Sequence, residues 1–316
     1  MLSRVANSIY WLSRYIERAE NVARFIDANY HMALDIPDNA GEQWQPLINT
    51  TGDHELFKEM YGTATRENAI EFLAFNRSNP NSIYSCVRAA RENARSTREY
   101  ISSEMWERLN TFYLMMNQAA KENSMNQPHQ FFVDIMNASH AFRGVTESTM
   151  THGEGWHFGR LGRMLERSDK TSRILDVKYF ILLPSVDYIG SPYDNILWAA
   201  LLKSASAFEM YRKRHGRIDP RNIVDFLLLE RSFPRSLHFC LTIAMNSLNT
   251  ITGSTRGTYA NQAEQALGKL LSDFHYVSLD EIFHNGLHEY LDSTQTRINN
   301  VGTAIHEAFF SPKVPE

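Results

Sequence analysis

The chain repeats itself. Residues 11–30, WLSRYIERAENVARFIDANY, align with residues 160–179, RLGRMLERSDKTSRILDVKY, at an offset of 149. Seven of the twenty positions are identical: Leu12/Leu161, Arg14/Arg163, Glu17/Glu166, Arg18/Arg167, Arg24/Arg173, Asp27/Asp176 and Tyr30/Tyr179. A second pair of blocks, FLAFNRSNPNSIYSCV (72–87) and FLLLERSFPRSLHFCL (226–241), aligns at an offset of 154. It also has seven identities, among them Arg77/Arg231, Ser78/Ser232, Pro80/Pro234, Ser82/Ser236 and Cys86/Cys240. At that offset Trp44 meets Trp198, Leu47 meets Leu201 and Glu55 meets Glu209. Two blocks in the same order at nearly equal offsets point to an internal duplication. The expectation is one domain over 1–316, built of repeat halves 1–150 and 151–316 that join near His152-Gly153-Glu154-Gly155. A unit of about 150 residues is too long for a short-repeat solenoid.

Both copies of the first block read as helix. Leu12, Ile16, Ala19, Ala23, Ile26 and Tyr30 fall at spacings of 4, 3, 4, 3 and 4, one stripe of an α-helix. Leu161, Leu165, Ser168, Ser172, Leu175 and Tyr179 repeat the stripe, and Ile83, Val87, Ala90, Ala94, Thr97 and Ile101 follow the same rhythm. Pro80 and Pro234 read as first-turn residues of helices that start after Ser78 and Ser232. Pro128, Pro184, Pro192 and Pro220 mark further breaks. Period-two alternation with β-branched enrichment is absent. The expected fold class is all-α: about ten to twelve helices in bundle-like packing, with no sheet.

Away from the apolar stripe, Arg14, Glu17, Asn21 and Arg24 cluster within about 80° of the helical wheel, flanked by Arg18 and Glu20. The second copy supplies Arg163, Glu166, Lys170 and Arg173, flanked by Arg167 and Asp169. Glu20 to Arg24 and Asp169 to Arg173 are i,i+4 pairs, worth about 0.3–0.5 kcal/mol each on a solvated face. A solvated face would have diverged between copies, yet the arginines and glutamates match in type. Tyr15, Val22 and Phe25, and Met164 and Ile174 in the second copy, extend the apolar surface around another side, the pattern of a helix buried on more than one face. Three readings stand: a solvated face, a charge network between the halves, and an anion or ligand site. A second basic stripe, Arg88, Arg91, Arg95 and Arg98, lies within about 80° on one helix, with Glu92 and Glu99 nearby. It reads as a surface ladder or as a docking strip for an acidic peptide or a phosphate.

A net charge of −4 gives no bulk attraction for nucleic acid or membrane surfaces, so such binding needs a local patch. No run of about 18 apolar residues suggests a membrane span. Arg4, Arg14, Glu17, Arg18 and Glu20 interrupt any signal-like apolar core in the first twenty residues. The expected compartment is the cytoplasm. Cys86 and Cys240 read as packing residues rather than a disulfide framework. Neither a phosphate loop nor a GxSxG elbow occurs, and no cofactor is expected. His152, Glu154 and His157 depart from HExxH spacing. His284 and His288 stand one turn apart with only Asp280 or Asp292 as further donors, so no metal site is expected.

The phrases MLSRVANSIYWLSRYIERAENVARFID, SIYSCVRAARENARSTREYISSEMWERLN, GWHFGRLGRMLERSDKTSRILD and FLLLERSFPRSLHFCL together resemble the alpha-E family, the bacterial alpha-helical domain with a conserved ER motif. The resemblance covers nearly the whole chain, including Leu279 to Phe310, and its ER dipeptides fall on Glu17-Arg18 and Glu166-Arg167. His152 and His157 depart from a family pattern that is more basic there. The resemblance implies a setting rather than an activity: neighbours that are circularly permuted ATP-grasp and transglutaminase-like proteins, in some cases a proteasome-related peptidase, and a role in peptide or amide bond formation or tagging. It brings no catalytic residues.

The expected function is therefore an accessory binding protein of such a system, taking a partner or an acidic or phosphorylated ligand through the Arg/Glu stripes. One alternative is an enzyme with Glu17 and Glu166 as acid/base groups in an arginine-lined cavity between the halves. Another is a structural scaffold in which the ER pairs lock the halves together.

Overall fold

A computed structural model describes residues 1–35, 44–122, 128–181, 192–255 and 257–311. No strand occurs among the described residues. The helices run α1 (Ser3–Asp35), α2 (Gln45–Thr51), α3 (His54–Tyr61) and α4 (Arg66–Ile70), which continues as a π turn over Glu71–Phe75. Then come α5 (Ile83–Ser96), α6 (Ser103–Glu122), α7 (Pro128–Thr149), α8 (Glu154–Ile181), α9 (Pro192–Ser204), α10 (Phe208–His215) and α11 (Pro220–Leu228). Last are α12 (Leu237–Thr252), α13 (Gln262–Tyr276), α14 (Leu279–Asn285) and α15 (Leu287–Ile305), closed by a π turn over His306–Phe310. The expected ten to twelve helices undercount them, because α2, α3, α4, α10 and α14 have only five to eight residues. Two turns or fewer show no periodicity.

Prolines open α7, α9 and α11, while Pro184 lies outside the described residues. The reading of Pro80 and Pro234 is corrected. Helices α5 and α12 start later, capped by Ser82 and Ser236, whose hydroxyls accept from the backbone N–H of Ser85 and Phe239 at 3.1 Å. Such a cap contributes about 1 kcal/mol. The prolines sit in the preceding turns, where their carbonyls receive the thiols of Cys86 (3.9 Å) and Cys240 (3.5 Å). Burial pushes both thiols up to about 12, which suits packing residues and not nucleophiles.

Helices α1 and α8 form the axis of the fold. They lie against each other, with α5 and α7 packed on α1 and α12 and α15 on α8. Leu12, Ile16, Ala19, Ala23 and Ile26 enter one core with Phe57, Phe72, Phe112 and Phe132. Leu161, Leu165 and Leu175 enter a second with Tyr211, Phe226, Leu241 and Phe274; the side chain of Tyr179 lies outside the described residues. Ala6 and Tyr10 of α1 belong to the second core, and Ile174 of α8 packs on the first. Each long helix is thus buried on two sides, as its extra apolar residues require.

The helices come closest at Gly162. A Cβ there would stand 2.5 Å from the Tyr10 carbonyl oxygen and 3.2 Å from Arg14 Cγ. Glycine lets the α8 backbone run against α1 and brings the charged flanks of both within side-chain reach. Among the described residues, no helix is long and apolar enough to cross a membrane.

Candidate functional site

The two ER dipeptides meet across the α1–α8 boundary. Arg18 donates through Nε to Glu166 Oε1 at 2.6 Å and through Nη2 to Oε2 at 3.0 Å. Arg167 donates through Nε to Glu17 Oε1 at 2.7 Å and through Nη2 to Oε2 at 2.8 Å. The Glu of each dipeptide therefore receives the Arg of the other, two-pronged in both cases, the strongest geometry available to this pair. Both glutamates are buried, at 1% and 0% exposure. The solvated-face reading is overturned for Glu17, Glu20, Glu166, Arg167 and Asp169, all buried. Arg14, Arg24 and Arg173 keep a partly exposed edge.

Each pair carries a further shell. Arg14 Nε donates to Glu166 at 2.8 Å, and its guanidinium lies over Trp11. Arg24 and Ser139 donate to Glu20 at 2.7 and 3.0 Å, and His140 Nε2 lies 3.1 Å from it. Arg173 Nε reaches both oxygens of Asp169 at 3.0 Å. The surroundings also hold residues that the stripes did not reveal. Arg235 pairs with Glu20 and donates to Asn21 at 2.8 Å. Arg143 lies 3.7 Å from Glu20, and Asn81 accepts from Arg18. One signal for Arg235 was present. At the two offsets Arg235 matches Asn81 and Lys170 matches Asn21, so each side has one extra cation, supplied from a different position. Lys170 Nζ stands 3.4 Å from Asp169 and 3.9 Å from Glu166.

Burial alone would raise the pKa of Glu17, but the charge and hydrogen bonds of Arg167, with Arg235, together outweigh it and the net shift is downward. The same contest, won by Arg18, Arg14 and Lys170, lowers Glu166; Arg235 lowers Glu20, and Lys170 and Arg173 lower Asp169. Glu17, Glu20, Glu166 and Asp169, with Asp53 behind Asn81 and Glu147 near Arg163, sit among nine basic side chains: Arg14, Arg18, Arg24, Arg143, Arg163, Arg167, Lys170, Arg173 and Arg235. A chain of net charge −4 thus holds a positive centre.

The two aligned helices differ at Arg163. Its counterpart Arg14 is paired, whereas the buried Nε of Arg163 has no partner. Burial, then repulsion from Arg167, pushes its pKa down to about 10. Arg163 lines a narrow crevice between α1, α7, α8 and the start of α6, with Arg143, Arg160, Glu17 and Ser13 beside an apolar wall of Ile16, Met105, Phe142 and Met150. The crevice encloses about 520 Å³ including its mouth. Only about 20 Å³ admits the centre of a water molecule, so a larger group requires the methionines, the most adaptable apolar side chains, to swing aside.

The basic ladder is not one helix face. Helix α5 ends at Ser96, and Thr97 leaves helical geometry at φ −126°, ψ 28°, which places Arg98 in the following turn. Arg91 lies over Trp106 and Tyr113 and donates to Asn110 at 2.8 Å. Arg98 also lies over the Trp106 ring, at 4.9 Å from its centre. Arg88 and Arg95 are exposed, and Arg95 pairs with Glu92 at 2.6 Å. The weak histidine motifs disperse. His152 stacks on Trp156, Glu154 faces the Met1 nitrogen, and His288 binds Asp176 at 2.7 Å while Asp280 pairs with Arg221. A larger hollow opens between α12 and α13 over His238 and His275. Burial, with His275 and Arg231 nearby, pushes His238 down to about 4 and keeps it neutral.

The model of the Alpha-E family, described as "A predicted alpha-helical domain with a conserved ER motif", matches residues 1–310. Uncharacterized protein Mb2597 of Mycobacterium bovis and uncharacterized protein Rv2567 of Mycobacterium tuberculosis are each 22% identical over 309 residues, 90% of this chain and 34% of theirs. The chain thus spans about a third of the length of the curated relatives it matches. No solved structure matches it. With a family match over nearly its whole length, and ER dipeptides that face each other in the buried centre, the chain belongs to the Alpha-E family.

Proposed function

We propose that the chain is a non-catalytic binding protein, built by duplication of two halves that the reciprocal ER pairs clamp together. It serves an amide-bond-forming system whose members include ATP-grasp and transglutaminase-like proteins, in some settings with a proteasome-related peptidase, and it works in the cytoplasm. Its ligand is an anionic group with an apolar body, such as the carboxylate end of a peptide, taken at the Arg143–Arg160–Arg163 crevice. The observation that carries this reading is the surplus of cations over carboxylates around the clamp, which ends in an arginine whose buried Nε has no partner. Glu17 also lines the crevice, but a buried guanidinium nitrogen without a hydrogen-bond partner, with Arg143 and Arg160 beside it, favours an anion there.

The rival reading of Glu17 and Glu166 as acid/base catalysts is disfavoured by their electrostatics. Groups held ionised by two-pronged arginines are poor proton donors near neutral pH. The scaffold reading has the reciprocity of the ER pairs in its favour and is compatible with binding, since a rigid clamp positions the crevice.

The test is a thermal-shift and calorimetric titration of the full chain with short peptides ending in a free carboxylate and with the same peptides amidated. Free peptides should bind and the amidated ones should not. Arg163→Met should abolish binding while leaving folding stability unchanged or slightly higher, since its buried Nε loses no hydrogen bond and its repulsion from Arg167 is relieved. Equal binding of both peptides, or full binding by R163M, would overturn the crevice as the site.

A further inference from the structure

Asp27 and His31 stand one turn apart on α1 and share a face. His129, the second residue of α7, packs its ring edge-on against His31 at a centroid distance of 4.6 Å. The three donor atoms converge. Asp27 Oδ1 lies 2.7 Å from His129 Nδ1 and 3.7 Å from His31 Nε2, and the two ring nitrogens are 2.9 Å apart. Without a metal, a single proton on His129 Nδ1 can serve both contacts, shared between Asp27 Oδ1 and His31 Nε2. Ligands about 2.0–2.1 Å from a tetrahedral zinc ion are about 3.3 Å from one another, a value that the three separations bracket. Among the described residues, no other group of three or more His, Cys, Asp or Glu donors gathers in this way.

The second half supplies an internal comparison. Asp176, the match of Asp27, binds His288, the second residue of α15, at 2.7 Å. At the position of His31 the sequence has Phe180. A carboxylate–histidine pair alone is thus a fastening between helices, and the first half adds a second imidazole aimed at the same point.

We propose that Asp27, His31 and His129 form a binding site for a divalent transition metal, zinc by preference, with imidazole Nε2 and Nδ1 and one carboxylate oxygen as ligands. Two imidazoles and a carboxylate suit zinc, and both rings are partly open to solvent, which leaves a fourth position for water or for a ligand from outside the chain. The metal takes the place of the shared proton, so binding releases it. This site is independent of the crevice proposed above.

The experiment is calorimetry of the untagged full chain with Zn²⁺ in two buffers of different ionisation enthalpy, and visible absorption with Co²⁺. One equivalent of metal, a buffer-dependent heat and tetrahedral-type cobalt bands are expected. His31→Phe, which copies the second half, and His129→Ala should each weaken binding by about tenfold or more, whereas His288→Ala should not. Circular dichroism checks that the variants remain folded. Absence of saturable binding, or an affinity in H31F and H129A equal to that of the unaltered chain, overturns the proposal, as does loss of binding in H288A.

Discussion

Glu17 receives both prongs of Arg167, 150 positions away in the chain, at 2.7 and 2.8 Å. Glu17→Gln keeps the volume and removes the charge, leaving a buried guanidinium without its counterion. Breaking one member of such a pair costs about 3–5 kcal/mol. Urea denaturation should show that loss for E17Q and for E166Q. Replacing both partners together, as in E17M/R167M, should cost less than E17Q alone, because no orphan charge remains. A change below about 0.5 kcal/mol in E17Q, within the range of ordinary surface substitutions, would mean that the pair does not hold the helices.

The same carboxylates set the response to acid. Glu17, Glu20, Glu166 and Asp169 all have folded-state pKa values below their ordinary ones. In the unfolded chain they take up protons near pH 4; in the folded chain they do so only at lower pH. Their stabilisation is therefore complete above about pH 5 and falls as the pH drops through about 4 and below. Urea melts between pH 7 and 3 should be flat at first and then steeply weaker, with a shallower fall in E166Q, which has one fewer proton to take up. A flat profile from pH 5 to 3 would contradict this account.

Gly162→Ala tests the close approach rather than the charges. Its new Cβ would meet the Tyr10 carbonyl at 2.5 Å, and a backbone atom cannot swing away as a flexible side chain does. The helices must separate, stretching the arginine–glutamate pairs as well. A loss of about 1–3 kcal/mol or more is expected despite the better helix propensity of alanine, read as a lower midpoint in thermal melts. An unchanged or raised melting point would show that the contact relaxes at no cost.

What could be read beforehand follows from which interactions leave a periodic trace. The stripes of α1 and α8 did, and so did the paired ER dipeptides, because a long helix buried on two sides repeats its residue types every turn. Ser82 and Ser236 were visible in the aligned blocks, yet the prolines drew the helix starts too early. Arg143 and Arg235 left little trace: each is a single residue on another element that reaches Glu17 or Glu20 across the fold. His129 left none, since α7 meets Asp27 only after the chain has returned from about 100 residues away. Arg98 was misplaced because a basic stripe continues on paper past Thr97, where the backbone leaves the helix.

That misplacement changes how the basic ladder should be tested for partner docking. Arg91 is built into its surroundings by Trp106, Tyr113 and Asn110, so Arg91→Ala should cost about 1–2 kcal/mol of stability through lost stacking and a lost charged hydrogen bond. Arg95 is exposed and, among the described residues, held by Glu92 alone, and Arg95→Ala should change stability by less than about 0.5 kcal/mol. Arg88→Glu with Arg95→Glu is therefore the clean probe. If this face docks an acidic partner, the double reversal should weaken a salt-sensitive complex with an ATP-grasp or transglutaminase-like protein from the same source, mainly by slowing association. Surface plasmon resonance at low and high salt reads this directly. Unaltered association rates in a folded double variant would remove the ladder from the interface.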